Sequence, residues 1–593
     1  MNIVKNRLEL LRKAMIENGI SAYIVPGTDP HASEYIADHW KEREWISGFT
    51  GSAGTVVITT DKAGLWTDSR YFLQAGIQLE GSGMDLMKLG MPDTLSINKW
   101  LASELTAGSK VAVNPLMFSV NGYSALQSEL KTFKIDVTSA NLINEIWTDR
   151  APLPHNPLFA FGVEYSGKST TEKLDMLRNE MTKLNADFFI LSALDDIAWL
   201  FNVRGNDVEY NPVVISYAIA SKESATLFVD PEKLTKETTK TLQNQGVIIE
   251  NYESIYAAIA NIDKNANVLI DGSKLNQSLF EKIPSTCTIK SSLSPVMYLK
   301  SIKNDTEIAG VKNTMIKDGV ALTRFFIWLE ENLKSGKVTE LSASDKLREF
   351  RSQQPLFMGE SFETIAGYAD HGAIVHYSAT PESDVALHAD SIFLLDSGGQ
   401  YMDGTTDITR TVALGTPTVQ QKNDFTLVLK GHIALATAIF PVGTRGSQLD
   451  ILARKALWDN KLNYGHGTGH GIGHFLNVHE GPQSIRMEEN PVTLQPGMMI
   501  SNEPGLYRTG KHGIRTENLI RVQSLDDTEF GSFLCFETLT LFPIDKILID
   551  IELLNESEIK WINNYHKTVY DKLSPNLDEN EREWLSNKCS GIK

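Results

Sequence analysis

The sequence predicts an α/β protein in three parts: two similar N-terminal α/β domains, residues 1–150 and 151–300, and a larger domain over 301–593 whose two halves each join helices to a glycine-punctuated β section. Three observations predict it. RLELLRKAMIENGISAYIV, Arg7 to Val25, aligns without gaps on KLDMLRNEMTKLNADFFIL, Lys173 to Leu191. Proline-rich joints stand at APLPHNP, Ala151 to Pro157, and around Pro295. SIFLLDSGGQYMDGTTDITRTVAL and PGMMISNEPGLYRTGKHGIRTENLIRV repeat one pattern, a buried run, glycine turns and a returning strand, and each carries two acids.

The aligned pair reads in both copies as an amphipathic helix running into a buried β run. Downstream, WISGFTGSAG (Trp45 to Gly54) sits where WLFNVRG (Trp199 to Gly205) sits in the second copy, so a duplicated domain accounts for both. The third part opens on a helical pattern expected over 305–335, and its second half repeats the device with helices near 422–440 and 447–460.

At 593 residues the chain exceeds what one core organises, so several domains are expected, each with an ample core. Cys287, Cys535 and Cys589 are odd in number and far apart, which fits free thiols in a reducing compartment and predicts a cytoplasmic protein. The start, MNIVKNRLELLRKAM, has no apolar signal-type core, and no stretch approaches the ~20 apolar residues of a membrane span. A net charge of −18 with no Lys/Arg block excludes nucleic acid and anionic lipid as expected partners.

The chemistry is expected in the two β sections. Ile392 to Leu395 reads as a buried strand ending at Asp396; after the glycine turns, Asp407, Thr409 and Thr411 fall on one face of a returning strand, so Asp396 and Asp407 can meet. In the second section Met498 to Ile500 leads to Glu503, and a later strand places Arg515, Glu517 and Leu519 on one face. Four carboxylates near buried strands repel one another unless they are paired or bind metal. For any one acid beside glycine, turn chemistry is the plain alternative; the repetition in both halves weakens it.

GHGTGHGIGHFLNVHEGP, Gly465 to Pro482, gathers four of the thirteen histidines. Its glycines exclude a helix, at ~1 kcal/mol each. As an extended segment it puts the glycines on one face and His466, Thr468, His470, Ile472 and His474 on the other, with the bare face open to another backbone or a ligand. His466 and His470 would then lie roughly 13 Å apart at ~3.3 Å per residue, so one ligand is expected from this pair, and spacing alone leaves open which. One neutral imidazole with four carboxylates carries −4, which two divalent cations neutralise. An oxygen-dominated set suits Mn²⁺ or a similar ion.

The order Asp396, Asp407, His470, Glu503, Glu517, within DSGG, TDITRT, HGTGHGIG, HEGP, NEPG and RTEN, resembles the pita-bread metallopeptidases, a family of aminopeptidases and prolidases. The three-part length, EYIADHWKEREWISGFTGSAGTVVI, WTDSRYFLQA and HYSATP extend the likeness to the cytosolic three-domain Xaa-Pro aminopeptidases, over essentially the whole chain. The resemblance implies two creatinase-like N-terminal domains before a pita-bread catalytic domain, and removal of the N-terminal residue from peptides with proline second. It implies that Asp396 and Asp407 bind one ion, that Asp407 and Glu517 bridge, and that His470 and Glu503 complete the second ion's shell. Mn²⁺ is the expected metal, with Zn²⁺ or Co²⁺ as alternatives. A homodimer through the catalytic domain is expected as well.

In that scheme a hydroxide shared by the ions attacks the peptide carbonyl, and Glu503 takes the water's proton and passes it to the leaving nitrogen. His466 would stabilise the oxyanion, and His376 and His479 would hold the substrate backbone or shuttle protons. Arg515 would fix the Glu517 carboxylate and add positive charge near the substrate, with a surface ion pair as the plain alternative. His474 falls where the family pattern does not fix a histidine and is read as a spectator. Arg70 has two readings, a reach towards the substrate cleft or a cap on its own domain. Rival functions are a dipeptide-specific prolidase, a metal-free creatinase-like hydrolase and a binding protein on a dead scaffold; the intact five-ligand set disfavours the last two.

Overall fold

A computed structural model describes residues 3–593. One compact unit comprises the residues up to Val163 with Lys168–Leu299; the other comprises Glu164–Gly167 with Lys300–Lys593.

The first unit bears out the duplication. Strands β1 (Ala22–Pro26), β2 (Thr55–Thr59), β3 (Ala63–Thr67), β4 (Asp85–Lys88), β5 (Lys110–Val113) and β6 (Asp136–Ser139) lie in the order β4-β3-β2-β1-β5-β6. A second sheet of β7 (Phe188–Leu191), β8 (Ser216–Ser221), β9 (Ala225–Val229), β10 (Val247–Glu250), β11 (Asn267–Ile270) and β12 (Thr288–Ser291) has the order β10-β9-β8-β7-β11-β12. Orientations match too: β1 and β7 each pair antiparallel on one side and parallel on the other. The helices Ile3–Glu17 and Thr170–Lys183 feed these strands, and the gapless alignment survives in their buried stripes, with Leu8, Leu11 and Met15 matched by Leu174, Leu177 and Met181. Four-residue and three-residue spacing puts each trio on one helical face, which is why the pattern was legible.

The second unit repeats a helix-and-sheet module. In its first half, helices Asp305–Asn332 and Glu340–Ser352 cover an antiparallel sheet of Ile365–Tyr368, Ile392–Ser397 and Ile408–Ala413, with Phe325, Leu329, Leu347, Phe393 and Leu395 in the shared core. Asn304 and Glu307 form a capping box that starts the long helix. In the second half, helices Val419–Ala436 and Gly446–Asp459 accompany a six-stranded sheet ordered Ile439–Pro441, Gly531–Thr538, Asn518–Thr528, Met499–Asn502, Gly469–Gly471, Glu480–Ile485. Helices Glu556–Leu573 and Glu579–Lys588 close the chain. Among the described residues no helix is long and apolar enough to cross a membrane, and the three cysteines are free.

Two local expectations are corrected. The extended run of alternating histidines survives only over Gly469–Gly471; the flanks turn, and Phe475 adopts φ +46°. Crowding explains the short strand: an added Cβ would lie 1.9 Å from Ser501 O at Gly469 and 2.4 Å from Glu480 O at Gly471, so neighbouring backbones close in on both. The strand expected to carry Arg515, Glu517 and Leu519 together is broken. His512–Arg515 pairs with Gly505–Arg508 as a hairpin, Glu517 N–H donates to Thr409 O in the first-half sheet (3.1 Å), and Asn518 then pairs with Asn502. Glu517 thus changes sheets, and that move brings it between the two halves of the unit.

Candidate metal centre

Cross-strand register builds the centre. Asp396 lies opposite Thr409 in the antiparallel pair, so Asp407, just before that strand, falls two residues from Asp396's partner. Glu517 is drawn in by its backbone bond to Thr409 and by Thr409 Oγ1, which donates to Glu517 Oε2 (2.8 Å). Glu503 follows the strand Met499–Asn502, and its N–H donates to Thr468 O (2.9 Å), beside the strand that carries His470. Asp407, His470 and Glu517 each offer a ligand atom within 4.8 Å of the others. His470 Nε2 lies 3.3 Å from Glu503 Oε1 and 3.5 Å from Asp407 Oδ2.

The surroundings orient these groups. His470 Nδ1 stands 3.0 Å from Gly471 O, which can only accept, so the ring's hydrogen sits on Nδ1 and the Nε2 lone pair faces the carboxylates. Ser501 Oγ accepts from His470 N–H and donates to Glu503 Oε1, both at 3.0 Å. Arg515 pairs with Asp396 Oδ2 at 2.6 Å and donates to Thr409 Oγ1 at 3.1 Å. The expectation that Arg515 fixes Glu517 is therefore corrected: the hairpin aims its guanidinium at Asp396, and it reaches Glu517 only through Thr409.

Electrostatically the cluster favours cations. Asp407 and Glu517 are held well above the ordinary carboxylate range, first by burial and then by the neighbouring carboxylates. Glu503 is raised to about 7, chiefly by burial, with Arg515 opposing and Asp396 adding to the rise. Asp396 Oδ1 is buried without a hydrogen-bond partner. A buried acceptor and a repelling set of acids, with an imidazole lone pair aimed among them, fit divalent ions. His470 and Glu503 keep 22 % and 18 % of their side-chain surface exposed against 5 % for Asp407, so they line the open side.

The other expected site residues are placed as follows. His479 stacks edge-on against His470 with centroids 4.3 Å apart, and the adjoining Glu480 is anchored by Lys300 (3.0 Å) and Lys303 (2.7 Å). His466 lies further out: Nδ1 is 2.7 Å from Gly467 O, so it carries a hydrogen, and Nε2 of the neutral ring accepts from the Tyr507 hydroxyl at 2.8 Å. His376 is half-buried in the loop after the turn Ala369–Ala373, and the preceding Val375 O accepts from Arg515 (3.4 Å). His474 is buried, with Nε2 3.1 Å from Tyr165 O. Arg70 is tied by two 2.8 Å bonds to Asp68 and lies over Tyr71.

Tyr507 escaped the sequence reading. It accepts from Arg515 (2.7 Å) and donates to His466, linking Asp396 to the histidine loop. A signal existed in NEPGLY: a Cβ on Gly505 would lie 2.5 Å from the Tyr507 hydroxyl, so the glycine makes room for the ring. Arg454 was missed as well; it pairs with Asp450 (2.6 Å) and donates to Tyr464 O and His466 O (both 2.8 Å), holding the histidine loop in its turn.

Backbone packing also fixes the hairpin. An added Cβ at Gly513 would lie 1.6 Å from Gly372 O. Gly513→Ala is expected to cost about 1–3 kcal/mol or more of stability and to displace Arg515 with the loop bearing His376. Thermal melting with a parallel assay checks it, and an unaltered melting temperature would refute the close packing.

Comparison with known proteins gives the family. Residues 7–146 and 149–307 match the creatinase/prolidase N-terminal domain, 309–524 match metallopeptidase family M24, and 532–592 match the C-terminal region of that peptidase. Fold and site together define an M24-type metallopeptidase. The chain is 43% identical to the probable Xaa-Pro aminopeptidase P of Laccaria bicolor, over 99% of this chain and 93% of that protein, and 42% identical to aminopeptidase P2 of Arabidopsis thaliana, over 99% and 88%. It superposes on the X-prolyl aminopeptidase of Caenorhabditis elegans, described as a cytosolic enzyme with a di-nuclear active site, with a TM-score of 0.95, 37% identity and both chains fully covered. The chain belongs to the aminopeptidase P family.

Proposed function

We propose that the protein is a metal-dependent aminopeptidase that removes the N-terminal residue from peptides with proline in the second position. The observation that carries it is the convergence of Asp407, His470 and Glu517 within 4.8 Å, in a chain full-length similar to Xaa-Pro aminopeptidases. Asp396, Asp407, His470, Glu503 and Glu517 would hold two divalent cations, most suitably Mn²⁺ given the oxygen-rich set. Such ions supply a water of lowered pKa and polarise the scissile carbonyl.

The chain's own residues supply the rest. Glu503, on the open side, takes the proton of the attacking water and delivers it to the departing nitrogen. A proline nitrogen is a tertiary amide without N–H, so it leaves well only when protonated. His479, beside His470, and His376, in the loop whose Val375 carbonyl meets Arg515, hold the substrate backbone or shuttle protons. His466 commits its Nδ1 hydrogen to Gly467 O, so it donates from Nε2 to an oxyanion only as the imidazolium; Tyr507, held by Arg515, occupies Nε2 here. Arg515 holds Asp396 in place through its 2.6 Å ion pair.

Division into domains 1–150, 151–300 and 301–593 is part of this reading, supported by the two separate N-terminal sheets. So are a cytoplasmic location, supported by three free cysteines and the description of the Caenorhabditis elegans enzyme, and a homodimer, supported by the family resemblance.

The test is a Mn²⁺-supplemented assay on a short peptide with proline second, with mass spectrometry of the products. Release of the first residue alone, and faster hydrolysis of Xaa-Pro-Xaa than of an Xaa-Pro dipeptide, is expected. Hydrolysis confined to the dipeptide would make the protein a prolidase.

A further inference from the structure

Behind the two glutamates runs a continuous buried chain of hydrogen bonds. Arg410, 2 % exposed, donates to Thr409 O (3.0 Å), Glu517 O (2.6 Å), Phe542 O (2.7 Å), Pro543 O (3.0 Å), Asn518 Oδ1 (2.8 Å) and the Tyr565 hydroxyl (2.9 Å). Arg410 has only donors, so it fixes the Asn518 amide with its oxygen inward and its NH₂ towards His432 Nε2, 3.1 Å away. His432 Nδ1 lies 3.1 Å from Asn502 O, an acceptor, so that nitrogen carries the hydrogen and Nε2 is the lone-pair side. Asn502 Nδ2 donates back to His432 O at 2.9 Å. Arg410 and the Asn502 carbonyl thus set the same polarity at the Asn518–His432 contact from opposite ends, and burial holds His432 in the neutral form this requires, with Arg410 reinforcing it.

Its placement gives the network a task. Asn502 and Asn518 face each other as the last pair of the ladder between Met499–Asn502 and Asn518–Thr528. Glu503 follows the first and Glu517 precedes the second, so the strands part where the ligands emerge. His432, on helix Val419–Ala436, bridges the two strand ends, and Arg410 grips the carbonyl of Glu517 itself. Tyr565, on helix Glu556–Leu573, brings in the C-terminal region: its one hydroxyl hydrogen faces Thr540 O and Phe542 O, both at 3.0 Å.

We propose that Tyr565, Arg410, Asn518, His432 and Asn502 form a positioning network that sets the separation of Glu503 and Glu517, and through it the affinity for the second of the two ions. The proposal rests on the two-ion reading above. Glu517 would bridge both ions, but Glu503 would serve the second alone and Asp396, which would serve the first, is anchored by Arg515, so the ion held by Asp396 and Asp407 depends on the network less.

The experiment titrates Mn²⁺ into chelator-stripped full-length chain by calorimetry, beside the melting temperature of the metal-free form. In His432→Leu one of the two ions is expected to lose about 10- to 100-fold in affinity with the other little changed, and His432→Gln, which restores an acceptor for Asn518, should recover part of the loss. Tyr565→Phe should weaken the same ion to a smaller degree, and it decides the matter if His432→Leu does not fold. Wild-type affinities for both ions in the folded variants overturn the proposal, as does equal weakening of both alongside a lowered metal-free melting temperature, the signature of a general structural role. A wild-type chain that saturates with fewer than two ions overturns the two-ion reading itself.

Discussion

Glu503→Gln is expected to retain two ions per chain and to lose about 10²- to 10⁴-fold in kcat, the usual reach of a general acid–base group. An amide oxygen can still ligate, and the Ser501 hydroxyl still has an acceptor to bind, so the geometry around His470 persists. What vanishes is the carboxylate that accepts and returns a proton. In the metal-free chain burial raises the Glu503 pKa to about 7; divalent cations beside it would keep the carboxylate ionised and so able to accept a proton. Its partial exposure, beside that of His470, places it on the side from which a peptide arrives. The loss should be greatest for substrates whose leaving nitrogen is most basic and should shrink for a poorly basic leaving group, since proton delivery then matters less. Steady-state kinetics with elemental analysis of the same sample checks this. Near-normal turnover would remove Glu503 from proton transfer; loss of metal would make it chiefly a ligand.

The parts of the protein readable from sequence are those written at short range. Leu8, Leu11 and Met15, with Leu174, Leu177 and Met181, reveal themselves by helical spacing, and Ile392 to Leu395 by an unbroken buried run; each signal lies within one element. The acids of the site were visible because each sits at the end of such a run. How they are held was not visible. Thr409 meets Glu517 across 108 residues and Arg515 meets Asp396 across 119, and neither pairing leaves a periodic trace. Arg515 illustrates the limit: two residues from Glu517 on what reads as one strand, it was expected to hold that glutamate, yet the backbone changes sheets between them and the guanidinium goes to Asp396. The histidine segment failed in a similar way. Its alternation is real, but the close approach of Ser501 and Glu480 confines the strand to three residues, and Arg454 bends the rest by gripping carbonyls. His432 had no signal at all, because a lone histidine on an apolar helix looks the same whether or not it spans two strand ends.

The site's repulsion makes a second large effect predictable, in which loss of function accompanies a gain of stability. Asp407→Asn is expected to abolish measurable peptidase activity and two-ion binding, yet to raise the melting temperature of the metal-free chain. In the folded metal-free state Asp407, Glu503 and Glu517 resist ionisation because burial and mutual repulsion raise their pKa values, whereas in the unfolded chain they ionise near 3.8 or 4.5. Below that range all three are protonated in both states and impose no penalty. As the pH rises the unfolded chain releases its protons first, so folding loses stability; the loss continues through about 7, where Glu503 ionises, and Asp407 and Glu517, raised well above their ordinary values, add to it. Replacing Asp407 removes one of these groups and relieves the other two. The metal-free variant should exceed the metal-free wild type by on the order of 1–3 kcal/mol at pH 8, a few degrees in Tm, with the difference shrinking towards pH 4. Adding Mn²⁺ should reverse the ranking, since two divalent ions neutralise four carboxylates in the wild type and have no complete site in the variant. Calorimetric melting at pH 4 and pH 8, with chelator and with Mn²⁺, separates these cases. Should chelated wild type and variant melt together at pH 8, the carboxylates would not be crowded as described, and the inference from repulsion to bound cations would lose its basis.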